Sequence, residues 1–129
     1  MRGTRLEVNL TALKNNLFQL KKLIPDTAQI IAIVKADSYG LGSVKVSASI
    51  ENDVWGFGVA TLEEAVELRN NGIKKPVIML SPFFEHEIDE ILTYNITPTL
   101  TDFKRAETLA AHARKSNKRV KVHIKIDTG

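Results

Sequence analysis

Val120-Lys121-Val122-His123-Ile124-Lys125-Ile126-Asp127 alternates apolar and polar residues without a break. A period of two is the mark of a strand whose two faces meet different surroundings. One face is apolar and suits packing against helices. The other carries Lys121, His123, Lys125 and Asp127. A central strand of a doubly wound sheet is apolar on both faces. A barrel strand near an active site turns a polar face into the lumen, and an edge strand with one wet face reads the same way. The segment sets an open doubly wound sheet against a (β/α)8 barrel and leans toward the barrel.

The preceding chain alternates strands and helices. Leu6 to Asn9 reads as a short extended stretch. Leu10, Leu13, Leu17, Leu20 and Ile24 follow at helical spacing, up to Pro25-Asp26. Gln29 to Ala36 is an apolar, partly β-branched run predicted as a buried strand, with a loop over 37–42. A helix is expected from about Ser43 to Asn52, with Val44, Ser47, Ala48 and Ile50 inward. Val54 to Ala60 is the next strand, and its Trp55 and Phe57 share one face as core residues. Thr61-Leu62-Glu63-Glu64 has the spacing of a capping box, and Gly72 stands where a helix-ending glycine belongs. Pro76 to Ser81 predicts a strand and Glu85 to Tyr94 a helix burying Ile88, Ile91 and Leu92. Ile96 to Leu100 predicts a strand interrupted by Pro98. Asp102 caps a helix with the stripe Phe103, Ala106, Leu109, Ala110 and Ala113. Alternation of this kind implies parallel strands joined by right-handed crossovers.

Composition narrows the functional classes. The 129 residues hold 18 Lys+Arg and 15 Asp+Glu, a net charge of +3, and no cysteine. Disulfides, thiolate metal sites and cysteine nucleophiles are excluded. The apolar run from Ile30 to Val34 falls far short of the ~20 residues of a membrane span, and the first residues lack the apolar core of a signal peptide. A cytoplasmic protein is the expectation, with no membrane partner. A complete barrel needs ~250 residues. The chain stops at Thr128-Gly129, directly after a strand. If the fold is a barrel, residues 1–129 are expected to be the N-terminal part of a longer domain.

Lys35 is the first candidate for chemistry. It ends an apolar strand in phase with Ile31 and Ile33. On the lumen side its amine emerges at the C-terminal mouth, where barrels place catalytic groups. Burial disfavours an ammonium, which suits Schiff-base chemistry. A snorkelling lysine at a strand end fits the same pattern. Tyr39, Gly40 and Gly42 follow in the loop, where a hydroxyl and free backbone amides suit an anion such as a phosphate, or form an ordinary glycine turn. The basic residues Arg105, Arg114, Lys115, Lys118, Arg119, Lys121 and Lys125 carry no interleaved aromatic for stacking, and a helix end explains the densest part of them. No nucleic-acid partner is expected. His86 lies among acidic residues at a solvated helix start and His112 on a helix surface. His123 falls in the polar phase of the last strand. No metal site is expected.

Val34-Lys35-Ala36-Asp37-Ser38-Tyr39-Gly40-Leu41-Gly42 resembles the cofactor-attachment motif of the alanine racemases, roughly Val-x-Lys-Ala-Asn/Asp-Ala/Gly-Tyr-Gly-His-Gly. Glu7-Val8-Asn9-Leu10-x-Ala12-Leu13-x-x-Asn16 is similar to the family's opening strand and helix. Thr61-Leu62-Glu63-Glu64-Ala65-x-x-Leu68-Arg69-x-x-Gly72-Ile73 resembles its third segment. Lys125-Ile126-Asp127-Thr128-Gly129 is similar to the start of its Lys-x-Asp-Thr-Gly-Met-Gly-Arg motif. The resemblance spans nearly the whole chain. It implies an α/β fold of (β/α)8 TIM-barrel type, present as an N-terminal partial barrel of about five strand–helix units, with a β-rich C-terminal domain outside the chain.

The resemblance also implies an activity: interconversion of L- and D-alanine with pyridoxal 5'-phosphate (PLP), supplying D-alanine for peptidoglycan in a bacterial cytoplasm. Lys35 then bonds covalently to PLP and serves as the base on one face of the substrate α-carbon. Tyr39 hydrogen-bonds the cofactor phosphate. Lys125 matches a lysine often carbamylated in the family, where it orients an active-site arginine. The partners implied are a small-molecule amino-acid substrate and a second subunit of a homodimer, whose C-terminal domain brings the tyrosine base of the opposite face. Leu41 departs from the motif's histidine, and Ser38 from its alanine or glycine. The 129 residues hold at most one of the two bases and are expected to be inactive alone. A serine or broad-specificity racemase and a non-catalytic PLP-binding barrel are the alternatives.

Overall fold

Asn9 opens the first helix: its side-chain oxygen accepts the Ala12 N–H at 2.9 Å, and α1 runs Leu10–Lys21. The structure, a computed structural model, describes residues 3–129. Five short strands follow: β1 Ile31–Ile33, β2 Gly56–Val59, β3 Val77–Met79, β4 Thr97–Leu100 and β5 His123–Ile124. The turn α2, Lys35–Gly40, and the helix α3, Ser43–Ile50, connect β1 to β2. Helix α4, Leu62–Asn70, connects β2 to β3. A 3-10 turn at Glu85–Glu87 and α5, Ile88–Thr93, lead to β4, and α6, Phe103–Lys115, leads to β5. No described helix is long and apolar enough to cross a membrane.

The sheet order is β1-β2-β3-β4-β5 and every pair is parallel. This decides between the two architectures. A doubly wound sheet reverses its strand order at a switch point. Here each strand lies beside the one before it, so right-handed crossovers put every connection on the same face. Phe57, Val59, Val77 and Met79 alternate onto that face and join Leu17, Val46, Ile50, Leu62, Leu68, Ile88, Ile91 and Leu109 in one buried cluster. On the opposite face no helix packs: at the β1 edge Ile31 is 36% exposed and Ile33 43%, while Ile78 in the middle of the sheet is shielded by its neighbours. The fold is an α/β partial barrel, one sector of a (β/α)8 wall.

Several elements differ from the sequence reading. Residues 3–9 form no strand, and Leu6 is exposed. Helix α1 ends at Lys21, and of its stripe only Leu17 is buried, with Leu20 in solvent. In α3, Val46 takes the inward place assigned to Ala48, which is exposed. Pro98 does not interrupt β4. It is buried opposite Met79, and β5 pairs only from Thr99 onward, so the missing N–H costs at most one ladder bond. Phe103 is exposed at the start of α6 rather than part of its buried stripe. The last strand is two residues, not eight. Ile124 and Ile126 are 74% and 79% exposed because no described element covers them beyond the sheet edge. Val120 and Val122 do pack on the core.

The N-terminal ends of the strands are tied by two charged side chains. Arg69 donates to four backbone carbonyls, those of Ile73 (2.8 Å), Lys75 (2.7 Å), Tyr94 (3.0 Å) and Asn95 (3.1 Å). Glu51 accepts from the N–H groups of Lys74 (2.6 Å) and Lys75 (3.1 Å). Burial pulls the Arg69 guanidinium below the ordinary arginine value, and Glu51 opposes that shift. Gly72 (φ +88°) ends α4 as expected: its N–H reaches Arg69 O at 3.0 Å, and Ile73 N–H reaches Leu68 O at 3.1 Å. Asp102 caps α6 as read, accepting Arg105 N–H at 2.9 Å.

Removing the guanidinium strands four carbonyls in two loops, so Arg69→Ala is expected to lower unfolding free energy in urea by about 2 kcal/mol. Arg69→Lys should recover less than half of that, since one ammonium cannot span both loops. A loss within error of zero would contradict the latch. The backbone N–H of Arg105, then its side chain, hold the Asp102 carboxyl below the usual range. A depressed folded-state pKa gives stability that is present above the unfolded aspartate value of about 3.9 and lost as pH falls through the folded value. The melting-temperature gap between wild type and Asp102→Ala should therefore narrow on acidification from neutral pH toward pH ~2.

Candidate active site

Strand β1 stops at Ile33 because Val34 (φ −121°, ψ 17°) leaves the extended region. The alternation that predicts a side for Lys35 therefore ends one residue short of it, and Lys35 is placed by the turn instead. It is half-buried, the first residue of α2 at the C-terminal end of the strand. The expected loop is a left-handed turn. Ala36 (50°, 49°), Asp37 (53°, 45°), Ser38 (53°, 43°) and Tyr39 (56°, 38°) are four successive non-glycine residues in the left-handed region. That conformation costs an L-residue roughly 1–2 kcal/mol, hence about 4–8 kcal/mol for the four. Tyr39 is 67% exposed.

Hydrogen bonds hold the turn from both sides. Ser38 N–H donates to Val34 O (2.9 Å) and Gly42 N–H to Asp37 O (2.9 Å). The Asp37 carboxylate accepts Ser43 N–H at 2.6 Å, capping α3. The Glu64 carboxylate, from the first turn of α4, bridges two strands' ends. Its Oε1 accepts Ala36 N–H and its Oε2 accepts Ala60 N–H, each at 2.7 Å. The capping box is thus only half present. Thr61 Oγ1 accepts Glu64 N–H at 3.4 Å, but the Glu64 side chain serves the turn after β1 and the end of β2 rather than its own cap. Sequence reading found Glu64 and Asp37 without these roles. The signals for Glu64 are its place in the capping pattern directly behind a core strand and in the stretch that resembles the family's third segment, and neither points to the turn after β1.

Register places further candidates. Ile33 pairs with Gly58, Gly58 with Ile78 and Ile78 with Thr97, and two residues on Thr99 pairs with His123. These residues share the face opposite the helices. A Cβ at Gly58 would lie 2.6 Å from Ile33 Cδ1, the mobile end of a partly exposed side chain. Thr99 is buried, and its hydroxyl has no hydrogen-bond partner among the described residues. Lys125 follows β5, exposed, its N–H on Leu100 O at 2.9 Å. The structure brings Lys35 and Tyr39 into one turn. It sets Lys125 at the opposite edge of the sheet, with β2, β3 and β4 between. A hollow of about 220 Å³ beside Lys125 is walled by Leu100, Asp102, Phe103 and Ile124.

The remaining candidates lie elsewhere. His86 stacks on Phe84 with centroids 5.6 Å apart. His112 is half-buried rather than on an open surface, its Nδ1 3.0 Å from Asp89 Oδ1. Lys118 of the basic stretch donates to Leu92 O at 3.0 Å. Phe57 is core, and Trp55 is only half-buried.

Consecutive parallel strands clad on one face, with an amine and a phenol at the strands' C-terminal rim, define part of a (β/α) barrel of the kind that carries its chemistry at that rim. Comparison with known proteins gives the family. The chain belongs to the alanine racemase family: the profile of the alanine racemase N-terminal domain matches residues 8–129. Alanine racemase 1 of Caldanaerobacter subterraneus subsp. tengcongensis is 42% identical over 130 residues, covering 100% of this chain and 34% of that protein. Alanine racemase of Treponema denticola is 42% identical with the same coverage. The structure of alanine racemase from Clostridium difficile 630 in complex with cycloserine superposes with a TM-score of 0.92 at 32% identity, over 95% of this chain and 34% of that one. Alanine racemase from E. faecalis gives a TM-score of 0.89 at 29% identity, over 95% and 33%. The chain thus spans about a third of the length of the relatives it matches.

Ser38 combines a left-handed backbone with a buried hydroxyl that has no partner among the described residues. Ser38→Gly removes both penalties and is expected to raise unfolding free energy by about 1 kcal/mol after the added chain entropy of glycine. Chemical denaturation measures it, and a loss of stability would contradict the turn geometry.

Proposed function

We propose that this chain supplies the cofactor-bearing wall of a PLP-dependent amino-acid racemase acting on alanine. The observation that carries the reading is Lys35, placed by a rigid turn at the C-terminal end of β1, in a chain that belongs to the alanine racemase family. The residues present fit PLP: a half-buried primary amine for a covalent link to an aldehyde, and an exposed phenol four residues on for a phosphate oxygen. When bound, PLP draws electrons from the substrate α-carbon and makes its proton acidic.

Lys35 Nζ would hold the cofactor and, as a free amine, would take or return the substrate α-proton on one face. Tyr39 Oη would donate a hydrogen bond to the phosphate. Lys125, on the far side of the opening, takes the supporting place that its motif suggests, as a carbamate beside an arginine. Racemisation needs a base on each face, and these residues offer one. The second base is assigned to a tyrosine of a partner subunit in a homodimer.

Incubation of the purified 129-residue chain with PLP, followed by borohydride and peptide mass spectrometry, tests the reading. A pyridoxyl group on Lys35, absent in Lys35→Ala, is the expected result. A folded chain labelled no more at Lys35 than at its exposed lysines would refute the cofactor assignment. The same preparation should show no interconversion of alanine enantiomers by chiral chromatography, for want of the opposite base.

A further inference from the structure

We infer that Glu64 is a positioning residue for Lys35, acting through the peptide N–H that follows it. The inference rests on the reading of Lys35 as the cofactor lysine. Ala36 N is the first backbone donor after Lys35, and it opens the left-handed run. It bonds to Glu64 Oε1, while Ala60 N, at the exit of β2, bonds to Oε2, both at 2.7 Å. One carboxylate, twenty-eight positions from Ala36 in sequence, thus fixes the peptide after the lysine to the exit of the neighbouring strand. Glu64 is itself anchored, since its N–H is bonded to Thr61 Oγ1 and its helix packs by Leu62, Ala65 and Leu68 into the core.

The chemistry of this clamp demands an ionised carboxylate. Both partners are donors, so both oxygens must accept. A glutamine of the same size offers one acceptor and one N–H2, and the latter would face a donor. Glu64→Gln therefore breaks one of the two bonds while keeping shape and volume. Without the clamp, the peptide after Lys35 loses its tie to the exit of β2 and rests only on the bonds at Val34, Asp37 and Ser43, so the backbone that places the lysine is less constrained. The neighbouring Glu63 is exposed and accepts from neither Ala36 nor Ala60, so Glu63→Gln changes the same charge on the same helical turn and leaves both clamp bonds in place.

Two measurements on the 129-residue chain test this. Amide hydrogen exchange by NMR should find Ala36 and Ala60 protected in wild type. Glu64→Gln should speed exchange at one or both by about tenfold, as expected for loss of a charge-assisted bond, and Glu63→Gln should not. Borohydride trapping with PLP should show Lys35 labelling slowed by about tenfold in Glu64→Gln at unchanged helical circular dichroism, consistent with a lost fixed geometry. Unprotected Ala36 and Ala60 in wild type overturn the clamp, a result that stands even if Glu64→Gln does not fold. Faster exchange with unaltered Lys35 trapping overturns the positioning role. Wild type that is protected at both amides yet never labelled at Lys35 refutes the cofactor reading, and with it the positioning role, while leaving the clamp as a structural fact.

Discussion

Burial of one face of the sheet is the constraint from which the other features follow. Phe57, Val59, Val77 and Met79 exclude water only because helices lie over them, and the strand order puts every helix on that side. The other face is then free to be a working surface. On that side β1, β2 and β3 carry Ile31, Ile33, Gly58 and Ile78, and polar side chains enter with Thr97 and Thr99 of β4 and His123 of β5. The two ends of the strands are built differently as a result. At the N-terminal ends, Arg69 and Glu51 spend their charges on backbone groups and hold the loops still. At the C-terminal ends, a strained turn presents a lysine and a tyrosine.

Strain at that turn is concentrated rather than spread. Four non-glycine residues share one unfavourable conformation, and their hydrogen bonds run to Val34, Gly42, Ser43 and Glu64. A more relaxed backbone would continue β1 or coil away from it. The left-handed path instead turns the chain within a few residues from strand to the start of α3, keeping Lys35 and Tyr39 close to the rim. This is the place where local preference and global structure disagree, as is usual where a fold makes room for chemistry.

Most of the architecture was legible in the sequence. Helical spacing found α4 and α6, Asp102 and Gly72 were read correctly as their cap and terminator, and Ile88, Ile91 and Leu92 were placed inside. Alternation alone left barrel and doubly wound sheet open, because the order of strands is a long-range fact that no local pattern holds. The last strand was overread for a related reason. Period two in 120–127 describes what those residues suit, but burial of Ile124 and Ile126 requires a covering layer that no described element supplies. The turn at 36–39 was invisible because alanine, serine and tyrosine carry no preference for positive φ. Motif resemblance found Lys35 and Tyr39. It did not reveal Glu64, whose role depends on a contact across 28 positions.

The order of strands along the sheet also bears on how the chain acquires its shape. Every pairing joins a strand to the one synthesised just before it, so no segment waits for a distant partner. Each pairing spans one crossover of 19 to 25 positions, and domains assemble from the N-terminus as the polypeptide leaves the ribosome. Each new strand–helix unit can dock on the edge left by its predecessor, with the growing core sealing one layer at a time. The wall is in this sense laid in the direction of translation, with the lysine-bearing turn after β1 set in place before the strands that follow it.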